Sequence, residues 1–153
     1  MKAQKVLEAA ALEIGTKESP IGTNKTKYGK WFGFDGVAWC AIFVSYIYDK
    51  AGCPLGNIGF LKGMAGCGTA VAHFRKTSQF TTNPQPGDIV FFDWNLDKQF
   101  DHVGIFVRKI DDKTFETIEG NTSLSNQSNG GQVMRRTRNY YAGLVFVHPK
   151  VLD

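Results

Sequence analysis

Long hydrophobic runs are missing: no stretch of about 18 apolar residues occurs, so nothing reads as a membrane span. The opening residues, Met1-Lys2-Ala3-Gln4-Lys5-Val6-Leu7-Glu8, lack the apolar core of a secretory signal, so action outside a cytoplasm would need another route of release. Cysteine is scarce and odd in number. Cys40, Cys53 and Cys67 have no C-x-x-C partner of the metal-binding kind. One disulfide, Cys53–Cys67, fits the count, but the preferred reading is a reduced chain with one working thiol and two structural ones. Strong charge is also absent. A net charge of +4, with scattered basic residues, permits attraction to an anionic polymer without singling out nucleic acid. The densest basic group, Arg135-Arg136-Thr137-Arg138, reads first as a strand edge or solvated face and second as a polyanion contact. What the chain does have is 42% hydrophobic and 13% aromatic residues, which excludes disordered and fibrous classes. Its 153 residues suit one domain, 1–153, with a core of its own.

The most informative stretch is Phe34-Asp35-Gly36-Val37-Ala38-Trp39-Cys40-Ala41-Ile42-Phe43-Val44-Ser45-Tyr46-Ile47-Tyr48, where a Gly-containing loop becomes a long apolar helix. Cys40, Val44, Ile47 and Ala51 recur at helical spacing, Ile42, Phe43 and Tyr46 widen the apolar surface, and Gly52 stands at the expected C-cap. A helix starting near Val37 puts Cys40 in its first turn, among N–H groups without intrahelical partners. Those groups and the helix dipole favour a thiolate. Upstream, residues 3–14 form an amphipathic helix (Val6, Leu7, Ala10, Ala11, Ile14) stopped by Gly15. Residues 16–36 read as an irregular aromatic-rich loop, serving either core packing or a platform for an extended substrate. Asn24, Tyr28, Trp31, Asp35 and Trp39, with Trp94 further on, are the candidates for holding substrate.

Residues 52–68 carry six glycines and a proline and read as a second loop. Thr69–Lys76 suggests a short helix in which His73 is structural. After the turn Asn83-Pro84-Gln85-Pro86-Gly87-Asp88 come short β-type runs: Ile89–Trp94, His102–Ile110, Thr114–Glu119, Gln132–Thr137 and Leu144–His148. Thr122–Gly131 reads as a mobile Ser/Asn/Gly-rich loop. Helices first and an antiparallel sheet last predict an α+β fold. Pairing across Asp111-Asp112 with an even-numbered loop sets Ile110 opposite Lys113, Gly104 opposite Glu119 and His102 opposite Asn121. His102, Glu119 and Asn121 then share one face. An odd-numbered loop would throw Glu119 to the other face. An imidazole held by a carboxylate, beside a cysteine at a helix N-terminus, is the arrangement that thiol acyl transfer needs. His148, followed by Pro149, reads as structural.

Trp39-Cys40 opening a helix, then Pro86-Gly87-Asp88-Ile89-Val90-Phe91-Phe92, Asp101-His102-Val103-Gly104-Ile105 and Ile118-Glu119-Gly120-Asn121-Thr122, resemble the CHAP family of cysteine-dependent amidohydrolases and peptidases. The resemblance implies a papain-like α+β fold, with N-terminal helices packed on a C-terminal antiparallel sheet. It also implies cleavage of amide bonds in bacterial peptidoglycan, in the manner of a phage endolysin. It assigns Cys40 as nucleophile, His102 as base, Glu119 as the group orienting it and Asn121 as a further polar contributor. Some members carry an Asp-rich calcium loop before the cysteine. Here Asn24, Lys25, Lys27, Lys30 and one Asp35 make a poor calcium site, so no metal and no cofactor are expected. The expected partner is bacterial peptidoglycan, with no nucleic acid and no membrane. Targeting would come from a separate wall-binding domain or subunit, and release to the wall from a holin or a phage particle. Two other readings remain: a non-catalytic wall- or partner-binding module, and a cysteine protease acting on ordinary proteins.

Overall fold

The computed structural model describes residues 1–153. Helices α1 (Lys2–Leu12), α2 (Lys27–Phe32), α3 (Cys40–Lys50) and α4 (Cys67–Lys76) precede strands β1 (Phe80–Thr81), β2 (Ile89–Phe92), β3 (His102–Lys109), β4 (Thr114–Thr122), β5 (Gln132–Asn139) and β6 (Leu144–Val147). A 3₁₀ turn, Lys150–Leu152, follows. The strands form one antiparallel sheet in the order β1-β6-β2-β3-β4-β5, so the expected α+β architecture is present. No helix is long and apolar enough to cross a membrane.

α3 is the central helix. Cys40 to Ser45, Ile47 and Tyr48 are all buried, because its apolar residues cover most of the circumference and it packs on β3, β4, α1 and α2. It starts at Cys40 rather than near Val37, with Trp39 as N-cap and no capping side chain. The residue that would normally satisfy the first N–H groups is therefore replaced by a large aromatic. α1 lays Val6 and Ala10 against this core. Residues 16–36 are not wholly irregular. Thr26 caps α2 by accepting a bond from Gly29 N–H at 3.0 Å, and Gly33 ends it at φ +90°. The helix is under two turns long, too short to show a 3.6-residue period. α4 begins at Cys67, two residues before the expected start, and β1 is too short to stand out from its flanking polar residues.

Both faces of the sheet are covered. Ile89, Phe91, Val103, Ile105 and Ile118 join the helices in the main core. Val90, Phe92, Phe106 and Phe115 make a second cluster on the opposite face, backed by Trp94, Tyr140, Tyr141, Leu144 and Phe146.

The β3–β4 hairpin reaches its site register by a route the sequence did not predict. Its loop, Asp111 to Lys113, is odd-numbered: Ile110 N–H bonds Thr114 O at 3.0 Å, so Ile110 faces Thr114, not Lys113. Asp111 Oδ1 accepts from Lys113 N–H, Thr114 N–H and Thr114 Oγ1, which closes the turn. A bulge between Phe106 and Arg108 then adds one residue to β3 and restores parity, so Ile105 pairs with Ile118. Beyond the bulge Gly104 meets Glu119 as expected: a Cβ on Gly104 would stand 2.6 Å from Glu119 Cγ. Gly120 admits α3 in the same way, since a Cβ there would lie 2.7 Å from Phe43 and 2.9 Å from Trp39.

Candidate active site

Cys40 is the first residue of α3 and 7% exposed. Its thiol pKa is held well below the usual thiol value. The largest cause is a hydrogen bond from Cys67; burial opposes it, and His102 and the Ala41 N–H add to the lowering. Cys67 opens α4, and its own pKa is pushed up, first by its bond to Cys40 and then by burial. It therefore stays a neutral donor beside a thiolate. The N-terminus of α3 favours negative charge on this sulfur, and the Cys67 side chain beside it adds to that.

His102 begins β3 and is fully buried. Its Nε2 lies 2.8 Å from Glu119 Oε1. Nδ1 is the one buried side-chain polar atom without a hydrogen-bond partner. Because Glu119 occupies Nε2, Nδ1 is the ring atom left for Cys40 and substrate. Burial alone would lower the imidazole pKa; Cys40 and Glu119 outweigh it and raise it to about 9. Phe92 (5.7 Å) and Trp94 (6.3 Å, 23° from parallel) flank the ring.

Glu119 is also fully buried. Burial pushes its pKa up, but Arg138 and His102 bring it down to about 2. Oε1 accepts from His102 and from Arg138 Nη2 at 2.5 Å. Oε2 accepts from Thr117 Oγ1 at 2.5 Å and Arg138 Nε at 2.9 Å. Cys40, His102, Glu119 and Arg138 thus form a chain of alternating charge, running from the helix layer through β3 and β4 to β5.

Several candidates fall elsewhere. Asn121 is brought to the same end of the sheet but not onto His102. The irregularity between Glu119 and Thr122 puts it at φ +56°, which asparagine tolerates. Its side chain accepts from Gly131 N–H at 3.0 Å and donates to Asn129 Oδ1 at 3.1 Å, holding the 122–131 loop. Tyr28 and Trp39 are 0% exposed and cannot form a substrate platform. Tyr28 stacks on Trp39 and donates to Glu13 at 2.8 Å, and Trp39 Nε1 donates to the buried Glu18 at 3.2 Å. They steady the entry to α3 from inside. Asp35 braces the loop by accepting from Thr26 and Gly36 N–H, and Asn24 occupies a left-handed turn at φ +59°. Trp31 is half-buried against Tyr46 under Lys62, and Trp94 is half-buried beside His102. Asn24 and Asp35 are likewise half-buried, so these four candidates keep some surface. His148 lies far from Cys40 in the fold, between Asp88 (2.6 Å) and Asp153 (2.9 Å).

Arg138, Thr117 and Cys67 were not foreseen from the sequence. A buried acid needs a cation, and asking which basic residue could reach Glu119 would have pointed to β5. The sequence makes Cys67 structural or a partner of Cys53; all three cysteines are free, and Cys67 stands against Cys40 instead. No group of His, Cys, Asp and Glu is arranged to hold a metal ion. A cavity of about 550 Å³ is lined by Trp94, Gln127, Arg136, Arg138 and Tyr141 among others, and neither Cys40 nor His102 lines it.

This arrangement suits nucleophilic attack on a carbonyl followed by proton donation to a leaving nitrogen. No curated protein matches the chain. The CHAP domain family model matches residues 32–121, more than half of the chain and a span that includes Cys40, His102 and Glu119. The chain belongs to the CHAP domain family, whose members are in general cysteine- and histidine-dependent amidohydrolases.

Proposed function

We propose that the protein cleaves an amide bond of bacterial peptidoglycan, at the sugar–peptide junction or within the peptide, with Cys40 as nucleophile. The observation that carries the reading is Cys40 at the uncapped start of α3, backed by a fully buried His102–Glu119 pair. The thiolate attacks the carbonyl carbon, and the negative oxygen is met by N–H groups at the α3 N-terminus. The imidazolium gives its Nδ1 proton to the departing amine, leaving a thioester on Cys40 and a neutral ring. Nδ1 next takes a proton from water, the hydroxide attacks the thioester, and loss of the carboxylic acid restores the thiolate–imidazolium pair. Glu119 holds the ring and stays ionised throughout. The family resemblance and the net positive charge support an anionic wall as target. The biological setting this fits is lysis by a phage-type endolysin, made in a cytoplasm and released to the wall, with targeting supplied by another domain or subunit.

Release of soluble fragments from purified walls by the parent and Cys40→Ala proteins tests the reading. Parent activity with loss in Cys40→Ala is expected, and mass spectrometry of the fragments identifies the bond. Equal lysis by Cys40→Ala removes the mechanism. Wall binding without fragments from the parent would leave a binding module.

A further inference from the structure

β5 carries the densest basic run of the chain, and its last arginine is buried. Arg138 is 6% exposed. A buried guanidinium is costly unless its donors are met. Nε and Nη2 fork onto the two oxygens of Glu119, and Nη1 donates to Gln127 Oε1. The guanidinium carbon lies 5.3 Å from the Phe92 ring and 5.0 Å from the Trp94 ring. Trp94 is itself tied down by its Nε1 bond to Ser128 at 2.6 Å. Arg138 is thus held by loop and aromatics independently of the carboxylate it grips.

We propose that Arg138 is a positioning residue of the hydrolytic reaction: by clamping both oxygens of Glu119 it fixes the carboxylate that fixes the His102 ring towards Cys40. The proposal rests on the hydrolase reading above. A carboxylate turns freely about its last torsion unless something pins its plane. Here the fork and the Thr117 hydroxyl occupy every acceptor site except the one that takes His102 Nε2. The charged and titratable groups around Glu119 are His102 from β3, Arg136 and Arg138 from β5 and, through the imidazole, Cys40 of α3 with Cys67 of α4. Without Arg138 the buried carboxylate keeps one cationic contact, His102. Loss of a contact cation raises a carboxyl pKa by about 1–3 units. Each proton taken up by Glu119 withdraws support from the imidazolium, so the Cys40 thiolate forms only at higher pH.

The test compares the parent with Arg138→Gln and Arg138→Lys. Iodoacetamide alkylation of Cys40 is followed against pH by peptide mass mapping, with no substrate present. Wall clearance is measured over a range of wall concentrations. Arg138→Gln is expected to move the alkylation midpoint up by about one pH unit or more. It should also lower kcat roughly 100-fold, with KM little changed. Arg138→Lys, which keeps the charge but not the fork, should restore the midpoint and only part of kcat. A folded Arg138→Gln protein with the parental midpoint and kcat overturns the proposal. If neither variant folds, ¹³C NMR of the Glu119 carboxyl in the unaltered protein decides. Ionisation persisting to about pH 2 supports the clamp; titration at the ordinary value of 4.5 overturns it. A shifted midpoint with a parent that clears no walls supports the clamp and removes the hydrolase reading alone, so the two failures are distinct.

Discussion

Glu119→Gln is the most informative single substitution, because it changes one atom in a carboxylate that accepts four bonds. The carboxylate offers four acceptor sites, and His102, Thr117 and two Arg138 donors use them. A carboxamide has one oxygen and a donor NH₂. Whichever way it turns, its NH₂ points at an Arg138 N–H: at Nη2, with His102 beside it, or at Nε, with a Thr117 hydroxyl that can turn to accept. Arg138 is left buried without a counter-ion, which costs about 3–5 kcal/mol. For a chain of this size each kcal/mol is worth about 2–4 °C, so the melting midpoint should fall by about 10 °C. His102 loses the anion that helps hold its pKa at about 9 and drifts down as burial dominates. The thiolate–imidazolium pair is then less populated, and wall hydrolysis near neutral pH should drop roughly 10²–10⁴-fold. Turbidity clearance and calorimetry on the same preparation read both effects. In a Glu119→Gln protein that melts with the parent and clears walls at its rate, the acid would neither hold the ring nor neutralise the arginine, and the role given to Glu119 would be wrong.

Two further outcomes follow from the same geometry. Gly104→Ala places a Cβ 2.6 Å from Glu119 Cγ; overpacking there should cost about 1–3 kcal/mol by calorimetry and lower wall clearance by displacing Glu119 from His102. Glu119 has a folded pKa of about 2 against an ordinary 4.5, so its contribution is complete above pH 4.5 and lost as pH falls through about 2. The parent should lose up to about 3 kcal/mol more than Glu119→Gln over that interval, measured by chemical denaturation; parallel pH profiles would contradict it. Above pH 6.5, by contrast, the raised pKa of His102 and the lowered one of Cys40 act in opposite senses and offset each other.

The part of this site that rests on local pattern was legible in the sequence. The apolar periodicity of residues 40–51 marks α3, and period-2 runs around a tight turn mark the β3–β4 hairpin that joins His102 to Glu119. The sequence leaves the loop parity open and implies that an odd-numbered loop throws Glu119 to the other face; the bulge between Phe106 and Arg108 cancels that shift and keeps the pairing at the site end. What escaped was whatever depends on tertiary neighbours. Tyr28 and Trp39 look like a platform in sequence, but Glu13 and the buried Glu18 offer their polar atoms partners, so they pack inward. Arg138 sits in a run that reads as solvated; only the fold shows that alternation turns it towards Glu119. Cys67 is 27 positions from Cys40, and no spacing rule links two helix starts. Asn121 carries the expected sequence position, but its left-handed backbone directs its bonds to the following loop.

The mechanism requires one of the three thiols, Cys40, to be ionised under conditions where Cys53 and Cys67 are not. Iodoacetamide labelling of the native protein at pH 6, with peptide mapping of Cys40, Cys53 and Cys67, tests this directly. Burial raises the pKa of Cys53, and the bond to Cys40 raises that of Cys67, so label on Cys40 alone is predicted. Cys40 reacting no faster than Cys53, or only near the ordinary thiol value of about 8.5, would contradict the account.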